Sequence, residues 1–340
     1  MKRRLAIFLL LTVPVCLSAQ FVRHVSKVGT TAATFLEIGV GARAGGLGEA
    51  FVSVANDVTA LYWNPAGMSE LTHPQATFYH SPWLVDIRYD FAGTVIPLPS
   101  NGTVGLFYTG VTMDDEPVRT VFYPEGTGEY FQAGNVAFGL AYSRRLTDRF
   151  SFGVTVKEIQ EQIWHMHSRS TAIDIGTLFR TRNRGWRLGM SISNFGDKLK
   201  LEGRDTQQKV DIDEQKAGNN DRIDAHLDTW AWQLPLLMRV GLSKDWRLGS
   251  TQHLTLAVDA VHPNDNREYV NLGVEYGWGD FLFLRLGQNN LFLPDRERGW
   301  TYGIGLRTHF HGKANLSLDY VAREMGVFQL VTGTSLTVMF

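Results

Sequence analysis

The chain reads EYVNLGVEYGW from Glu268 to Trp278. Every even-numbered position from 270 to 278 is apolar or aromatic, whereas the odd-numbered positions between them carry mainly Gly, Asn and Glu. Successive side chains of a β-strand point to opposite faces, so this two-residue period is typical of a strand. The stretch therefore predicts a strand with one apolar face and one face of small and polar residues.

The same period recurs along the chain from about residue 75 onward. We predict about 14 strands, near residues 75–83, 85–98, 101–112, 134–146, 150–163, 169–182, 185–196, 229–244, 252–263, 268–279, 281–289, 299–310, 313–323 and 327–340. Soluble strands usually have about 5 or 6 residues, whereas a tilted membrane-spanning strand needs about 9 to 11. Because most of these segments are long, we expect an all-β fold, a transmembrane antiparallel β-barrel of about 14 strands.

The connections between the predicted strands alternate in length. Short polar turns, as at Pro99–Asn101 and Thr147–Arg149, alternate with longer excursions such as Met113–Gly134, Gln162–Ser168 and Gly196–Asp228. Outer-membrane barrels have short periplasmic turns and longer external loops. The alternation predicts an even strand number with both termini on the periplasmic side.

Composition excludes several classes of protein. The 340 residues carry 33 Lys and Arg against 34 Asp and Glu, a net charge of -1, and a single cysteine, Cys16. A nucleic-acid-binding protein needs a basic surface, so no nucleic acid partner is expected. One cysteine excludes a disulfide framework. Charged residues are also too frequent after the first twenty positions for a polytopic helical membrane protein.

The N-terminus has the three parts of a secretory signal peptide. Lys2–Arg4 form a basic region, Leu5–Val15 are apolar, and Leu17–Ala19 end on a small residue before a cleavage site. We expect residues 1–19 to be the signal peptide, which directs export of the chain. Together with the barrel pattern, export predicts a location in the bacterial outer membrane. The alternative is an uncleaved anchor, although the apolar run is short for a membrane span.

The C-terminus ends on an aromatic residue preceded by apolar residues two and four positions earlier, namely Phe340, Val338 and Leu336. Bacterial barrels commonly end in this way. The pattern predicts a C-terminal signal for the barrel-assembly machinery.

The face opposite the apolar one is small or polar in many predicted strands. Its members include Gly139, Gly153, Gly189, Asn271, Gly273, Glu275, Gly303, Gly305, Arg307 and Asp319. Glycine within a strand usually marks a bend or a close approach of backbone. We expect these residues to line the lumen and to leave room for something packed inside it. Tryptophans near the predicted strand ends are expected to form interfacial girdles.

Residues 35–71 lack the strand pattern. They read FLEIGVGARAGGLGEAFVSVANDVTALYWNPAGMSEL, with a glycine-rich first part and a turn signal at Asn64–Gly67. A phosphate-binding loop is not indicated, because no Lys-Ser or Lys-Thr pair follows the glycines. This stretch resembles the opening of the PorV/PorQ family of outer-membrane proteins, which is related to the FadL-like transporters.

The resemblance implies a 14-stranded barrel with an N-terminal hatch in its lumen. On this basis residues 20–73 would be the hatch and residues 74–340 the barrel. The hatch motif is carried by Gly41, Arg43, Gly48, Phe51, Asp57, Asn64, Pro65, Ala66 and Gly67.

The resemblance also implies a function. The first interpretation is a partner-binding component of type IX protein secretion, with secretion-system components or cargo C-terminal domains as partners. The alternative is a FadL-like channel that takes up a hydrophobic small molecule. Outer-membrane lipid surrounds the barrel in both interpretations.

Few residues suggest metal binding or catalysis. His165 and His167 share a strand face near a predicted loop, and Asp211, Asp213, Asp221 and Asp224 crowd another loop. The histidines could bind a metal together with a third ligand, and the aspartates could bind Ca²⁺, although their spacing does not match the helix-loop-helix calcium motif. Solvated loop residues are the simpler interpretation in both cases. No nucleophile, base and orienting acid form a set, so we expect neither an enzyme nor a cofactor.

Overall fold

Fourteen consecutive strands form a closed antiparallel barrel in the computed structural model, which describes residues 27–99, 101–182, 185–211, 215, 222–294, 296–310 and 314–340. The strands are β1 (Gln75–Pro82), β2 (Arg88–Pro97), β3 (Gly102–Thr112), β4 (Ala133–Arg145), β5 (Phe150–Ile163), β6 (Met166–Arg180), β7 (Trp186–Gly196), β8 (Leu237–Arg247), β9 (Gln252–Pro263), β10 (Tyr269–Trp278), β11 (Leu282–Leu291), β12 (Arg298–Phe310), β13 (Ala314–Met325) and β14 (Leu330–Met339). The predicted signal peptide, residues 1–19, lies outside the described residues.

Each strand pairs with its neighbours in the chain, and the first strand pairs with the last. Gln75 of β1 lies opposite Met339 of β14, and Leu237 of β8 lies opposite Ser193 of β7. Closure leaves no strand edge with unpaired backbone groups, which is the condition for a sheet to cross a membrane.

The two faces of the barrel wall differ as the two-residue period predicts. On β9, Leu256 and Val258 point outward and are 38% and 44% exposed, whereas Ala257 and Asp259 between them are 2% and 0% exposed. The outward face is therefore an apolar belt, and the inward face is small, polar or charged.

Most predicted strands agree with the structure to within three residues at each end. The start of the strand predicted at 229–244 was wrong, because β8 begins only at Leu237. Pro235 lacks a backbone N–H and is not part of a ladder, and Ala231–Trp232 instead pair with Leu199–Lys200 inside a long loop.

The predicted longer excursions are present at one end of the barrel, here called the long-loop end, with one exception. They are the connections 113–132, 197–236, 264–268 and 292–297. The same end holds 83–87 and 326–329, which are no longer than the turns at the opposite, short-turn end. Those turns include 98–101, 146–149, 181–185, 248–251 and 279–281.

The exception is the excursion predicted at Gln162–Ser168. Ile163 pairs directly with Met166, so only Trp164 and His165 form the turn. Trp164 has a positive φ of 50°, which a two-residue hairpin turn requires. Tryptophan is not a residue from which this conformation would be predicted.

The long loops contain short paired segments. Glu116–Pro117 pair with Tyr130–Phe131, Gln207–Val210 pair with Ile223–His226, and Glu202–Gly203 add to the end of β6. Two further 3₁₀ turns are Arg204–Thr206 and Gly326–Phe328. No helix among the described residues has the length and apolar character needed to span a membrane.

Before the barrel, residues 27–74 form short helical turns and loops. The elements are the 3₁₀ turn Thr34–Glu37, α1 (Ala42–Gly46), α2 (Ala60–Trp63) and the 3₁₀ helix Pro65–Glu70.

The predicted tryptophan girdles are only partly observed. Trp186, Trp246 and Trp278 lie near the short-turn end, where the Lys244 ammonium sits over the first two rings. Trp230 and Trp232 instead lie in the loop between β7 and β8.

The apolar belt makes a direct prediction for Val258, which lies midway along β9 and points outward. We expect Val258→Arg to lower the free energy of unfolding in lipid vesicles by about 2–4 kcal/mol, because it places a cation at mid-membrane depth. His262→Arg, on the same face at the long-loop end, is the matched control and should cost far less. Equal costs in urea titrations would contradict a membrane-spanning belt.

Candidate functional site

The residues between Ala33 and Leu71 contact the inward face of the barrel wall on several sides. The short helix α1 packs against β11–β14, whereas Pro65–Glu70 packs against β3–β6. Most side chains of this inner segment are fully buried. The segment therefore occupies the space enclosed by the strands.

Strand glycines make this close packing feasible. A Cβ on Gly153 would lie 2.3 Å from the Pro65 carbonyl carbon, and one on Gly273 would lie 2.3 Å from the Leu47 oxygen. Gly189 and Gly303 meet the inner segment in the same way. The prediction that these glycines line the lumen and leave room inside is confirmed.

Local sequence explains the turns of the inner segment. Gly41 and Gly48 have φ values of +88° and +61°, which favour glycine over other residues. Pro65 occupies the first turn of its 3₁₀ helix, where a missing N–H costs nothing. A Cβ on Gly67 would lie 2.0 Å from the Ala55 oxygen, so the helix passes directly over that carbonyl.

Asn64 joins the inner segment to itself and to the wall. Its Oδ1 accepts a hydrogen bond from the Ala66 N–H at 3.1 Å, capping the 3₁₀ helix. Its Nδ2 donates to the Val52 oxygen at 2.8 Å and to the Thr177 oxygen of β6 at 3.0 Å. Asn64 is fully buried, so each of these bonds satisfies a group that water does not reach.

Arg43 of α1 belongs to a chain of alternating positive and negative side chains on the inward face of the barrel wall, here called the charge chain. Its guanidinium donates to both carboxylate oxygens of Glu275, at 2.9 and 3.0 Å, and to Asp57 at 3.0 Å. Arg285 donates to the same Glu275 at 2.6 Å and to Asp319 at 2.6 Å. The bidentate geometry gives a strong and directional pair.

A second contact uses the backbone of the inner segment. The N–H groups of Phe51 and Val52 both donate to Oδ2 of Asp259, at 2.7 and 2.8 Å. A third contact joins Glu49 to Arg298 at 3.3 Å and to Arg323 at 3.7 Å. Three separate carboxylates thus tie residues 43–52 to strands β9, β10, β12 and β13.

The lumen has two chemically different sides. From β1 to β4 the inward positions carry no charged side chain until Arg145 at the short-turn end, and they include Tyr79, Tyr89, Phe91 and Phe107. From β5 to β13 the inward positions carry nine buried charges, on Lys157, Asp174, Arg187, Arg239, Asp259, Glu275, Arg285, Asp319 and Arg323. Apolar residues of the inner segment, among them Leu61 and Trp63, form one cluster with the apolar side.

The histidines and aspartates singled out from the sequence, where the structure describes them, contact different partners. His165 Nδ1 lies 3.0 Å from Asp205, and its ring stacks on Trp164. Asp224 pairs with Lys209 across a loop hairpin. Asp213 and Asp221 lie outside the described residues. Within the described ranges, no group of three or more His, Cys, Asp or Glu side chains is placed to hold a metal ion.

Leu336 lies on the outward face of β14, and Phe340 directly follows that strand. Leu336 is 43% exposed and Phe340 62%, and β14 pairs with both β13 and β1. Their role as an assembly signal stays a prediction.

Sequence reasoning did not single out Asp259 or Arg285, although both touch the inner segment or its partners. The two-residue period places Arg285 on the same face as Gly287 of β11, and Asp259 on the face opposite Leu256 and Val258 of β9. A charged residue at a strand position that faces the lumen is the sequence feature that could have identified them.

The charge chain gives a prediction for Glu275, whose side chain is 2% exposed. We expect Glu275→Gln to lower the free energy of unfolding by about 3–5 kcal/mol, because Arg43 and Arg285 would lose their shared counter-charge. Urea unfolding followed by tryptophan fluorescence would measure it. Glu158→Gln is the control, since Glu158 is half exposed and its contacts, an ion pair with Arg169 and a hydrogen bond from Gln160, lie at the surface. A loss of unfolding free energy no larger than that of the control would show that the charge chain contributes little to stability.

Comparison with known proteins identifies the fold. No family model matches the chain, and no curated protein matches its sequence. The Pseudomonas putida toluene transporter TodX superposes with a TM-score of 0.52 at 11% identity, covering 88% of this chain and 96% of TodX. The Ralstonia pickettii toluene transporter TbuX gives 0.52 at 10% identity, covering 88% and 97%. A Pseudomonas aeruginosa FadL homologue gives 0.50 at 13% identity, covering 87% and 97%. The chain therefore has the fold of FadL-like outer-membrane barrels, whereas the narrower PorV/PorQ resemblance is not confirmed.

Proposed function

We propose that this protein is a bacterial outer-membrane channel of the FadL-like superfamily for hydrophobic small molecules. Residues 20–73 would act as a hatch in the lumen, and residues 74–340 would form the barrel. The long-loop end would face the exterior, as in other outer-membrane barrels.

The observation that carries this proposal is the apolar side of the lumen. Tyr79, Tyr89, Phe91 and Phe107 face the inner segment along β1–β3, and no charge interrupts them before Arg145. Small-molecule sites are lined mainly by apolar and aromatic side chains with few polar groups. The opposite side holds the inner segment by ion pairs. On this side an apolar molecule meets uncharged strands, with the Arg323 guanidinium of β13 at their border, where it donates to the Tyr79 hydroxyl.

The solved structures of similar fold support the same proposal. Two of them are toluene transporters, and the third is a FadL homologue. They favour the channel over a partner-binding role in type IX secretion, and none of them is an enzyme. We therefore do not retain secretion-system components or cargo C-terminal domains as the proposed partners. Outer-membrane lipid contacts the apolar belt, and the barrel-assembly machinery would read Leu336, Val338 and Phe340.

Passage requires the hatch to move, because residues such as Leu47, Phe51 and Leu61 are fully buried in the lumen. At the short-turn end, Ser69 Oγ donates to Ser151 Oγ of β5 at 2.7 Å. The neighbouring Glu70 contacts Arg145 at 3.6 Å and also Arg180. These contacts would have to separate before a molecule leaves toward the periplasm.

A reversible lock tests the channel and the hatch together. The double variant Ser69→Cys with Ser151→Cys replaces two hydroxyls already in contact, so a disulfide can form with little displacement. We expect the oxidised variant to stop the uptake of an apolar aromatic dye into barrel-containing vesicles. A thiol reductant should restore uptake to the level of the parent protein.

The two single variants are the controls, and both should transport with or without reductant. Mobility on a non-reducing gel would report complete disulfide formation. Equal dye uptake by the fully oxidised and the reduced double variant would contradict hatch movement at this site. Uptake no faster than in empty vesicles for every form would contradict the channel itself.

A further inference from the structure

Lys244 lies on the outward face of β8 near the short-turn end, between two tryptophan rings. Trp186 of β7 lies directly opposite Lys244 in the strand pairing, and Trp246 follows two positions along β8 on the same face. The Lys244 ammonium is 5.0 Å from the centroid of the Trp186 ring and 4.4 Å from that of the Trp246 ring. Both distances are within the range of a cation–π contact, so the two rings hold the ammonium at one place on the outer wall.

This ammonium has no carboxylate partner among the described residues. Asp245 is the next residue in the chain, but it lies on the opposite face of β8, where it accepts hydrogen bonds from Arg187 at 2.6 Å and from Thr255 at 2.8 Å. A cation on the lipid-facing wall of a membrane protein needs a counter-charge or water. Because the described part of the chain supplies no counter-charge to Lys244, this position is open to an external anion.

Two further cations flank the tryptophan pair. Arg247 follows Trp246 at the end of β8, and Arg182 lies in the turn between β6 and β7, where the Thr181 N–H donates to the Trp186 oxygen at 3.0 Å. Both arginines are exposed, and neither forms an ion pair with a described residue. The indole N–H groups of both tryptophans likewise have no acceptor in the part of the chain that the structure describes. These residues form what is here called the basic patch, namely Arg182, Trp186, Lys244, Trp246 and Arg247.

The basic patch is continuous with the apolar belt. Toward mid-barrel the next outward residues of β8 are Leu242 and Val240, and Leu188 of β7 lies opposite Leu242. Tryptophan rings concentrate where a membrane meets water, which is also the depth of the lipid headgroups. The patch therefore lies where the headgroups of the leaflet at the short-turn end would meet the wall, with their acyl chains against the leucines.

We propose that the basic patch binds the headgroup of an anionic phospholipid, of the phosphatidylglycerol type, in that leaflet. Phosphate oxygens accept hydrogen bonds from ammonium, guanidinium and indole groups, and the fork of an arginine matches two of these oxygens at once. Because no described carboxylate pairs with the three cations, they favour a headgroup of net negative charge over a zwitterionic one, which brings its own cation. The site requires only that the barrel crosses the membrane, and it does not depend on the channel function.

Native mass spectrometry of the whole barrel tests the site. The protein would be released from detergent micelles that hold equal amounts of phosphatidylglycerol and phosphatidylethanolamine with the same acyl chains. We expect the parent protein to retain phosphatidylglycerol preferentially, and each of Arg182→Gln, Lys244→Gln and Arg247→Gln to lower that preference about fivefold. Lys198→Gln is the matched control, because Lys198 is an exposed cation at the long-loop end without an ion-pair partner among the described residues. This control should leave the preference unchanged.

A second measurement in lipid vesicles keeps the test independent of detergent. Brominated acyl chains quench tryptophan fluorescence on contact, so brominated phosphatidylglycerol should quench the parent protein more than brominated phosphatidylethanolamine does. The double variant Trp186→Phe with Trp246→Phe should lose most of that difference, and heat-modifiable migration on a gel would report that each variant is folded. Equal quenching by the two lipids, or a retention preference that Lys244→Gln lowers no more than Lys198→Gln, would overturn the site.

Discussion

Side-chain alternation along a closed ring of strands is the constraint on which the rest of the structure depends. Each strand residue must face either the outer belt or the enclosed space, because a closed barrel has no edge strand. On β9 this rule places Val258 outward and Asp259 inward, one residue apart. A polar inward face would need water or a partner. The inner segment is that partner, and the strand glycines give it room.

The buried charges of the lumen follow from the same constraint. Isolated ions inside a membrane-spanning barrel would be costly, so each has a partner from the wall or from the inner segment. Arg43 and Glu275 show how the two parts depend on each other, because the helix supplies the cation and β10 the anion. Asp259 extends this to the backbone of Phe51 and Val52. The charged side thus fixes the segment by ion pairs, while the apolar side of β1–β4 contacts it mainly through apolar side chains, apart from the ion pair of Arg145 with Glu70 at the short-turn end.

Much of this arrangement could be predicted from the amino-acid sequence. The period around Val270–Trp278 predicted β10 and its lumen face, including Gly273 and Glu275. The turn signal at Asn64–Gly67 lies where Asn64 caps a 3₁₀ helix. What could not be predicted depends on contacts distant in the chain. Nothing local distinguishes Asp259, which accepts two backbone hydrogen bonds, from a strand aspartate facing water. The turn at Trp164–His165 and the late start of β8 depend on strand pairing, which apolar periodicity does not report. The predicted hatch role of residues 20–73 and the predicted assembly signal at Leu336–Phe340 stay predictions.

Thiol accessibility tests most directly whether the inner segment fills the lumen. Ala50 is fully buried in the inner segment, whereas Phe122 is 88% exposed in the loop between β3 and β4. Single variants Ala50→Cys and Phe122→Cys, made in the chain without Cys16, would be labelled with a membrane-impermeant thiol reagent in lipid vesicles. The account predicts rapid labelling at 122, and labelling at 50 that is slow until urea unfolds the barrel. Labelling of both positions at the same rate in the folded protein would contradict it.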